Sequence, residues 1–172
     1  MFQIPHSEFR IASVAKLVVI AVATLMVARP ATADVTAFLG SDFTPNSRLT
    51  LGAAGSIGFS ILAFEGEYVS TSEDVTTGGP GLKTGMANAL LQTPIAFKGV
   101  RPYVTAGVGV YHATLSTLNY SSTGFGTNIG GGVKIALISP LGLRLDYRVL
   151  MLGSGALFSP AHRFYAGLNI GF

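Results

Sequence analysis

The stretch HRFYAGLNIGF at the end of the chain alternates without a break. Phe164, Ala166, Leu168, Ile170 and Phe172 are apolar, and Arg163, Tyr165, Gly167, Asn169 and Gly171 fall between them. A two-residue period puts these two sets on opposite faces of a β-strand. Three more segments repeat the pattern. In VRPYVTAGVGV, Val100, Pro102, Val104, Ala106, Val108 and Val110 share one face. In FGTNIGGGVKIAL the set is Phe125, Thr127, Ile129, Gly131, Val133, Ile135 and Leu137, and in LGLRLDYRVLM it is Leu141, Leu143, Leu145, Tyr147, Val149 and Met151. None of these residues is charged. The opposite face carries Arg101, Lys134, Arg144, Asp146, Arg148 and Arg163 among eight glycines.

Alternation alone fits any sheet with one buried face. What decides is which face meets water. Only 11% of the residues are charged, against about 25% in soluble domains, so the chain cannot cover a water-facing surface. A soluble sandwich or lipocalin-like barrel would need bulk on its buried side and Lys, Glu, Thr and Ser outside. Here the polar side is rich in glycine, which suits a confined lumen where opposite walls compete for space. The continuous apolar side suits lipid. Backbone groups in lipid must bond to one another, so the sheet has to close. Beyond the N-terminal region no uninterrupted apolar run approaches the roughly 20 residues of a membrane helix.

Turn signals set the number of strands. Polar or Gly/Pro-rich connections fall at 41–48, 70–81, 116–124 and 153–161, and shorter breaks near 58–60, 94–99 and 139–140. Seven connections give eight strands, with long and short connections alternating. The fold expected is all-β: an eight-stranded antiparallel up-and-down transmembrane barrel.

The first 33 residues read differently. Arg10 and Lys16 precede the apolar run Leu17–Ala28, and RPATAD offers a small-residue site at Ala31 and Ala33. This is the pattern of a signal peptide cut between Ala33 and Asp34, which leaves residues 34–172 as the barrel domain. Removing Arg10, Lys16, Arg29 and Glu8 from 11 basic and 8 acidic residues leaves eight and seven. The basic balance is thus mostly the leader's, and nucleic-acid binding has no support. The absence of cysteine excludes disulfides, thiol chemistry and Cys-ligated metals.

The segments VRPYVTAGVGV, GTNIGGGVKI, LGLRLDYRVL and FYAGLNIGF resemble the OmpA-like outer-membrane β-barrel domain of small eight-stranded porin-family proteins, over residues 34–172. The resemblance implies a bacterial outer-membrane protein with periplasmic termini. It also implies that the aromatic-ended stripe Phe164, Ala166, Leu168, Ile170 and Phe172 is the signal read by the barrel assembly machinery. The first strand, DVTAFLGS, departs from the pattern because it lacks the glycine alternation.

Strand parity gives the candidate site. ILAFEGEYV sends Glu65 and Glu67 into the lumen, where Lys134, Arg144, Asp146 and Arg148 also point. Three acids against three bases suggest an ion-pair network that plugs the lumen, because a bare charge in a narrow space is costly unless paired or hydrated. Charges lining a narrow channel for ions or small solutes are the alternative, and a periplasmic lipocalin-like carrier is a more distant one. Catalysis is not expected: the barrel segment holds only His112 and His162, and Ser159 near His162 fits no hydrolase motif of such barrels. GGPG (78–81) and GGG (130–132) lack the helix and Lys-Ser/Thr of a phosphate loop. No His/Asp/Glu cluster has metal spacing, and no cofactor is expected. The reading is a monomer embedded in outer-membrane lipid, with a role in envelope integrity or adhesion. Four outer loops would be free to meet an external protein or glycan.

Overall fold

A computed structural model describes residues 32–172, and eight strands account for most of them. They are β1 (Thr32–Asp42), β2 (Arg48–Phe59), β3 (Leu62–Thr71), β4 (Gly81–Gln92), β5 (Val100–Leu115), β6 (Tyr120–Ile138), β7 (Leu141–Leu152) and β8 (Ala161–Gly171). Each strand pairs antiparallel with its sequence neighbour, and β1 pairs with β8, so the sheet closes as an up-and-down barrel. The predicted leader through Ala31 lies outside the described residues. Ala33 and Asp34 lie in β1, where the backbone of Ala33 bonds that of Phe172.

Three connections crowd one rim. Ser60 and Ile61 join β2 to β3, and Ser139 and Pro140 join β6 to β7. Between β4 and β5, Phe97 and Val100 exchange backbone bonds of 2.9 Å around Lys98 and Gly99. Both of those residues have positive φ, as a tight hairpin turn of this hand requires. The other rim carries connections 43–47, 72–80, 116–119 and 153–160. The loop expected at 116–124 is thus much shorter than its composition suggested. β6 already begins at Tyr120 and pairs with β5 up to Leu115. Ser121, Ser122 and Thr123 are strand residues, and their polarity reflects position above the apolar belt, where neither face needs to be oily. The β4–β5 connection (93–99) is in turn longer than two of those on the opposite rim, so the expected alternation of lengths holds only in part.

Burial is inverted relative to a soluble protein. Phe64, Tyr68, Val104, Val108, Ile129, Leu168 and Phe172 are exposed, while Arg144, Arg148 and Arg163 are the largest fully buried side chains. The stripe Phe164, Leu168, Ile170 and Phe172 faces outward with the others. This is the partition that lipid outside and a filled lumen inside demand.

The oddity of β1 has a packing reason. Its lumen-facing Phe38 stacks on Tyr165 of β8, with ring centroids 3.9 Å apart. Gly52 of β2 and Gly167 of β8 make room: a Cβ on Gly52 would strike the Phe38 ring, and one on Gly167 would lie 2.6 Å from Phe38 Cβ. β1 carries a single glycine, Gly40, because its partner strands supply the room around Phe38. The same complementarity recurs at Gly132, where a Cβ would sit 2.6 Å from the Tyr103 hydroxyl. Outward-facing Gly55 is different, since a Cβ there meets nothing within 4 Å. Gly132→Ala should therefore lower the stability of the vesicle-embedded barrel in urea by about 1–3 kcal/mol, the usual cost of overpacking. Gly55→Ala should leave it equal or higher, and similar losses for both would refute the distinction between the two faces.

Candidate functional site

The middle of the lumen is filled by charge. β3 supplies Glu65 and Glu67, and β7 supplies Arg144, Asp146 and Arg148, each by simple alternation along its strand. Arg144 reaches across the barrel from Nη1 to Glu65, donates from Nη2 to Asp146 at 3.0 Å, and donates from Nε to the Tyr103 hydroxyl at 2.7 Å. Tyr103 in turn donates to Asp146. Arg148 donates to Asp146 Oδ1 at 3.0 Å and to Glu65 Oε1 at 2.8 Å, and its Nη1 lies 3.0 Å from Glu67. These five charged side chains are 0–1% exposed.

Neutral groups complete the network. Asn88 donates to Glu65 at 3.1 Å and accepts from Asn128 at 2.8 Å. Tyr165 donates to Glu67 at 3.1 Å. The guanidinium of Arg144 lies 5.0 Å from the centre of the Tyr103 ring, and that of Arg148 lies 5.7 Å from the Tyr165 ring. An arginine fork can serve several carboxylates at once, and a buried carboxylate needs several donors. Each charged group here has at least two partners. The wall makes room, since Gly130 and Gly132 of β6 register opposite Arg148 and Asp146.

Lys134 stands apart from this cluster. It registers directly opposite Arg144, but two cations side by side repel. Its ammonium bonds Asp34 instead, at 2.5 Å, and Asn169 donates to the other oxygen of Asp34 at 2.9 Å. That pair is partly exposed and lines a cavity of ≈ 350 Å³ at the short-turn rim, together with Arg101 and Asn169.

Toward the long-loop rim lies a second charge group that the sequence reading did not include. Asp42 sits 3.5 Å from Arg48 and 3.6 Å from Arg163, all buried. Asp42 and Arg48 stand at the strand ends of a connection that composition assigns to a loop, although Arg163 was visible by parity. Above this level Leu82, Tyr111 and Ala113 pack with Tyr120, Leu152 and Ala156. The loops are cross-tied around the rim: Asn46 to Thr77, Glu73 to Ser116 and Tyr120 to Gly155. Within the 72–80 loop, Thr77 and then the Thr76 and Thr77 backbone amides hold the Asp74 carboxyl below the usual carboxylate range. The two histidines among the described residues face outward. His112 Nδ1 bonds Thr123 at 2.7 Å, and His162 Nδ1 bonds Tyr147 at 2.7 Å. Ser159 accepts from the Leu152 amide rather than approaching His162. Among the described residues no group of His, Asp and Glu is arranged for a metal.

The comparisons agree with this architecture. The chain matches the outer membrane protein beta-barrel domain family over residues 23–172 and belongs to that family, which makes it a bacterial outer-membrane protein. It is similar in structure to the N-terminal β-barrel domain of Pseudomonas aeruginosa OprF, with a TM-score of 0.64, 16% identity, and coverage of 82% of this chain and 97% of that one. Neisserial surface protein A gives 0.62 at 19% identity, covering 83% and 96%. The outer membrane enzyme PagL gives 0.51 at 19% identity, covering 80% and 98%. At these identities the likeness is one of fold. No curated protein matches the chain in sequence.

The two kinds of ion pair should separate in mutants. Asp146→Ala strands Arg144 and Arg148 in a dry interior and should cost about 3–5 kcal/mol in urea unfolding. Lys134→Ala, at the wetter rim, should cost about 1 kcal/mol or less. Equal losses would mean that burial does not set the energetics of the lumen.

Proposed function

We propose that this barrel is a closed structural element of the outer membrane, with a lumen plugged by its ion-pair network and a compact outer rim offered to external partners. The observation that carries the reading is the fully buried cluster of Glu65, Glu67, Arg144, Asp146 and Arg148. Three carboxylates and two guanidiniums bonded across the axis leave no room for a hydrated ion. Arg163, nearby, brings the count of charges to balance. The apolar group around Tyr111 closes the same path from the loop side. The role is one of envelope integrity and surface contact, without catalysis. The outward histidines bond the hydroxyls of Thr123 and Tyr147, and among the described residues no carboxylate is ion-paired with either ring.

A narrow channel is the second reading, favoured by the cavity of ≈ 350 Å³ that admits solvent at the short-turn rim beside Arg101 and Lys134. Planar-bilayer recording separates the two. The parent should show no steady conductance, and Asp146→Ala should leak small ions. Large, steady parental currents would overturn the plug and establish the channel.

The proposal includes an orientation: short turns and both barrel ends in the periplasm, long loops outside, as even-numbered barrels are built. The signal peptide would leave Asp34 as the first residue. The assembly machinery would read the outward stripe of β8, namely Phe164, Ala166, Leu168, Ile170 and Phe172. Because the chain has no cysteine, Thr77→Cys and Lys98→Cys can each be exposed to a membrane-impermeant maleimide on intact cells and then weighed intact. We expect label at position 77, none at 98, and a mass that begins at Asp34. Label at 98 alone, or a retained leader, would overturn the orientation or the cleavage.

A further inference from the structure

The lumen holds one cation that the described acids leave unanswered. Arg48, Lys134, Arg144, Arg148 and Arg163 each lie within ion-pair distance of at least one carboxylate, and Arg101 does not. Arg101 is half-buried at the short-turn end of β5, on the same face as Tyr103. Register makes its position costly. Arg101 stands directly opposite Lys134, and Lys134 directly opposite Arg144. Like charges placed directly across a strand pair repel. Arg144 is answered by the central cluster and Lys134 by Asp34 at 2.5 Å. Arg101 and Lys134 then make two cations against the one acid Asp34.

The surplus faces a cavity. Arg101, Lys134, Asp34 and Asn169 line the space of ≈ 350 Å³ at the short-turn rim, a size within the range of small-ligand sites, about 300–1,000 Å³. Other parts of its wall are small or apolar, with Ala136, Pro140, Leu141 and Phe172 among them. Asn169 spends both hydrogens of its amide, on Asp34 at 2.9 Å and on Thr36 at 3.0 Å. Its Oδ1 is left as an acceptor beside Gly142, 3.6 Å from where a Cβ on that glycine would stand. Thr32 and Ala33 also line the cavity, and both precede the proposed cleavage point. Processing would therefore widen the mouth and add the α-ammonium of Asp34 to the positive surplus.

We propose that this cavity binds the free carboxyl end of a peptide, with the carboxylate on Arg101 and the last amide N–H on Asn169 Oδ1. A guanidinium fork matches a carboxylate through two parallel hydrogen bonds. Phosphate carries more charge and would meet stronger repulsion from Asp34 in the same cavity. A free amino acid would bring its ammonium beside two cations, so the amino group has to be acylated, as it is in a peptide. The apolar wall takes the terminal side chain. The cavity is a dead end because of the plug proposed above, and its opening to the periplasm rests on the orientation proposed there.

Ligand-detected NMR titration of the full protein, purified from membranes in detergent, tests this without reference to orientation or current. The probes are N-acetyl-alanyl-alanine in its L,L and D,D forms, the C-terminal amide of each, and inorganic phosphate. At least one acid should bind at least tenfold tighter than its amide and than phosphate. A tighter L,L form assigns the ligand to a polypeptide, and a tighter D,D form to the D-amino-acid peptides of the cell wall. Arg101→Ala should weaken binding of the preferred acid at least tenfold, and Arg101→Lys should recover part of it. Asp34→Asn removes the competing acid, frees Lys134 and should tighten binding at least threefold, a gain that damage to the fold would not produce. Arg101→Ala should leave the urea midpoint in vesicles unchanged or higher, since Arg101 has no described acid to lose. Amides bound as tightly as the acids, phosphate bound more tightly, or binding by Arg101→Ala within twofold of the parent overturns the site. A parent that conducts and still binds the acid overturns the plug alone, and one that neither conducts nor binds overturns this site alone.

Discussion

Arg144 and Arg148 bond three carboxylates across the axis of the barrel, and the rest of the molecule is arranged so that they can. Two guanidiniums with no access to water are tolerable only when carboxylates surround them and those carboxylates are in turn hydrogen-bonded. The demands this makes are visible in the wall. β6 presents glycine opposite Asp146 and Arg148, which frees the volume the side chains occupy. Tyr103, Tyr165 and Asn88 supply the hydrogen bonds that the arginines leave unfilled. The strands that carry the acids and the bases, β3 and β7, sit on opposite sides of the barrel, so each ion pair also ties one wall to the other. Lipid outside demands only that the backbone bond itself into a closed sheet. The lumen network adds ties from β3 to β7 across that sheet.

Glycine does two different jobs in this sheet. Facing inward, at Gly52, Gly132 and Gly167, it answers a particular aromatic ring or hydroxyl. Facing outward, at Gly55 and Gly66, it answers nothing within the barrel. Composition cannot separate the two, because both appear as a glycine-rich strand.

The strict period of the strands made much of the fold legible. Alternation sorts each residue to the lumen or the lipid, and seven turn signals fix eight strands. That is why parity alone assigns Glu65, Glu67, Arg144, Asp146 and Arg148 a common space. Parity carries no height, however. Lys134 shares their face and even registers with Arg144, yet it pairs with Asp34 at the rim. Asp42 and Arg48 were hidden by the opposite error: near the rim a polar residue in a strand reads as loop, and the same effect made Ser121 to Thr123 look like a connection. Tyr103 and Tyr165 were on the correct face, but nothing in a sequence says which hydroxyl will meet which carboxylate across a barrel.

The account stands on the cross-lumen bond between Glu65 and Arg144. Its most direct test is a double-mutant cycle with Glu65→Gln and Arg144→Met, read by urea unfolding in vesicles. A buried, mutually dependent pair should couple by about 2–3 kcal/mol, near the upper end for residues in one network. Each single change would then be far more damaging than the second change made after it. Coupling within about 0.5 kcal/mol, the range of independent sites, would contradict the claim that these charges hold the barrel together across its lumen.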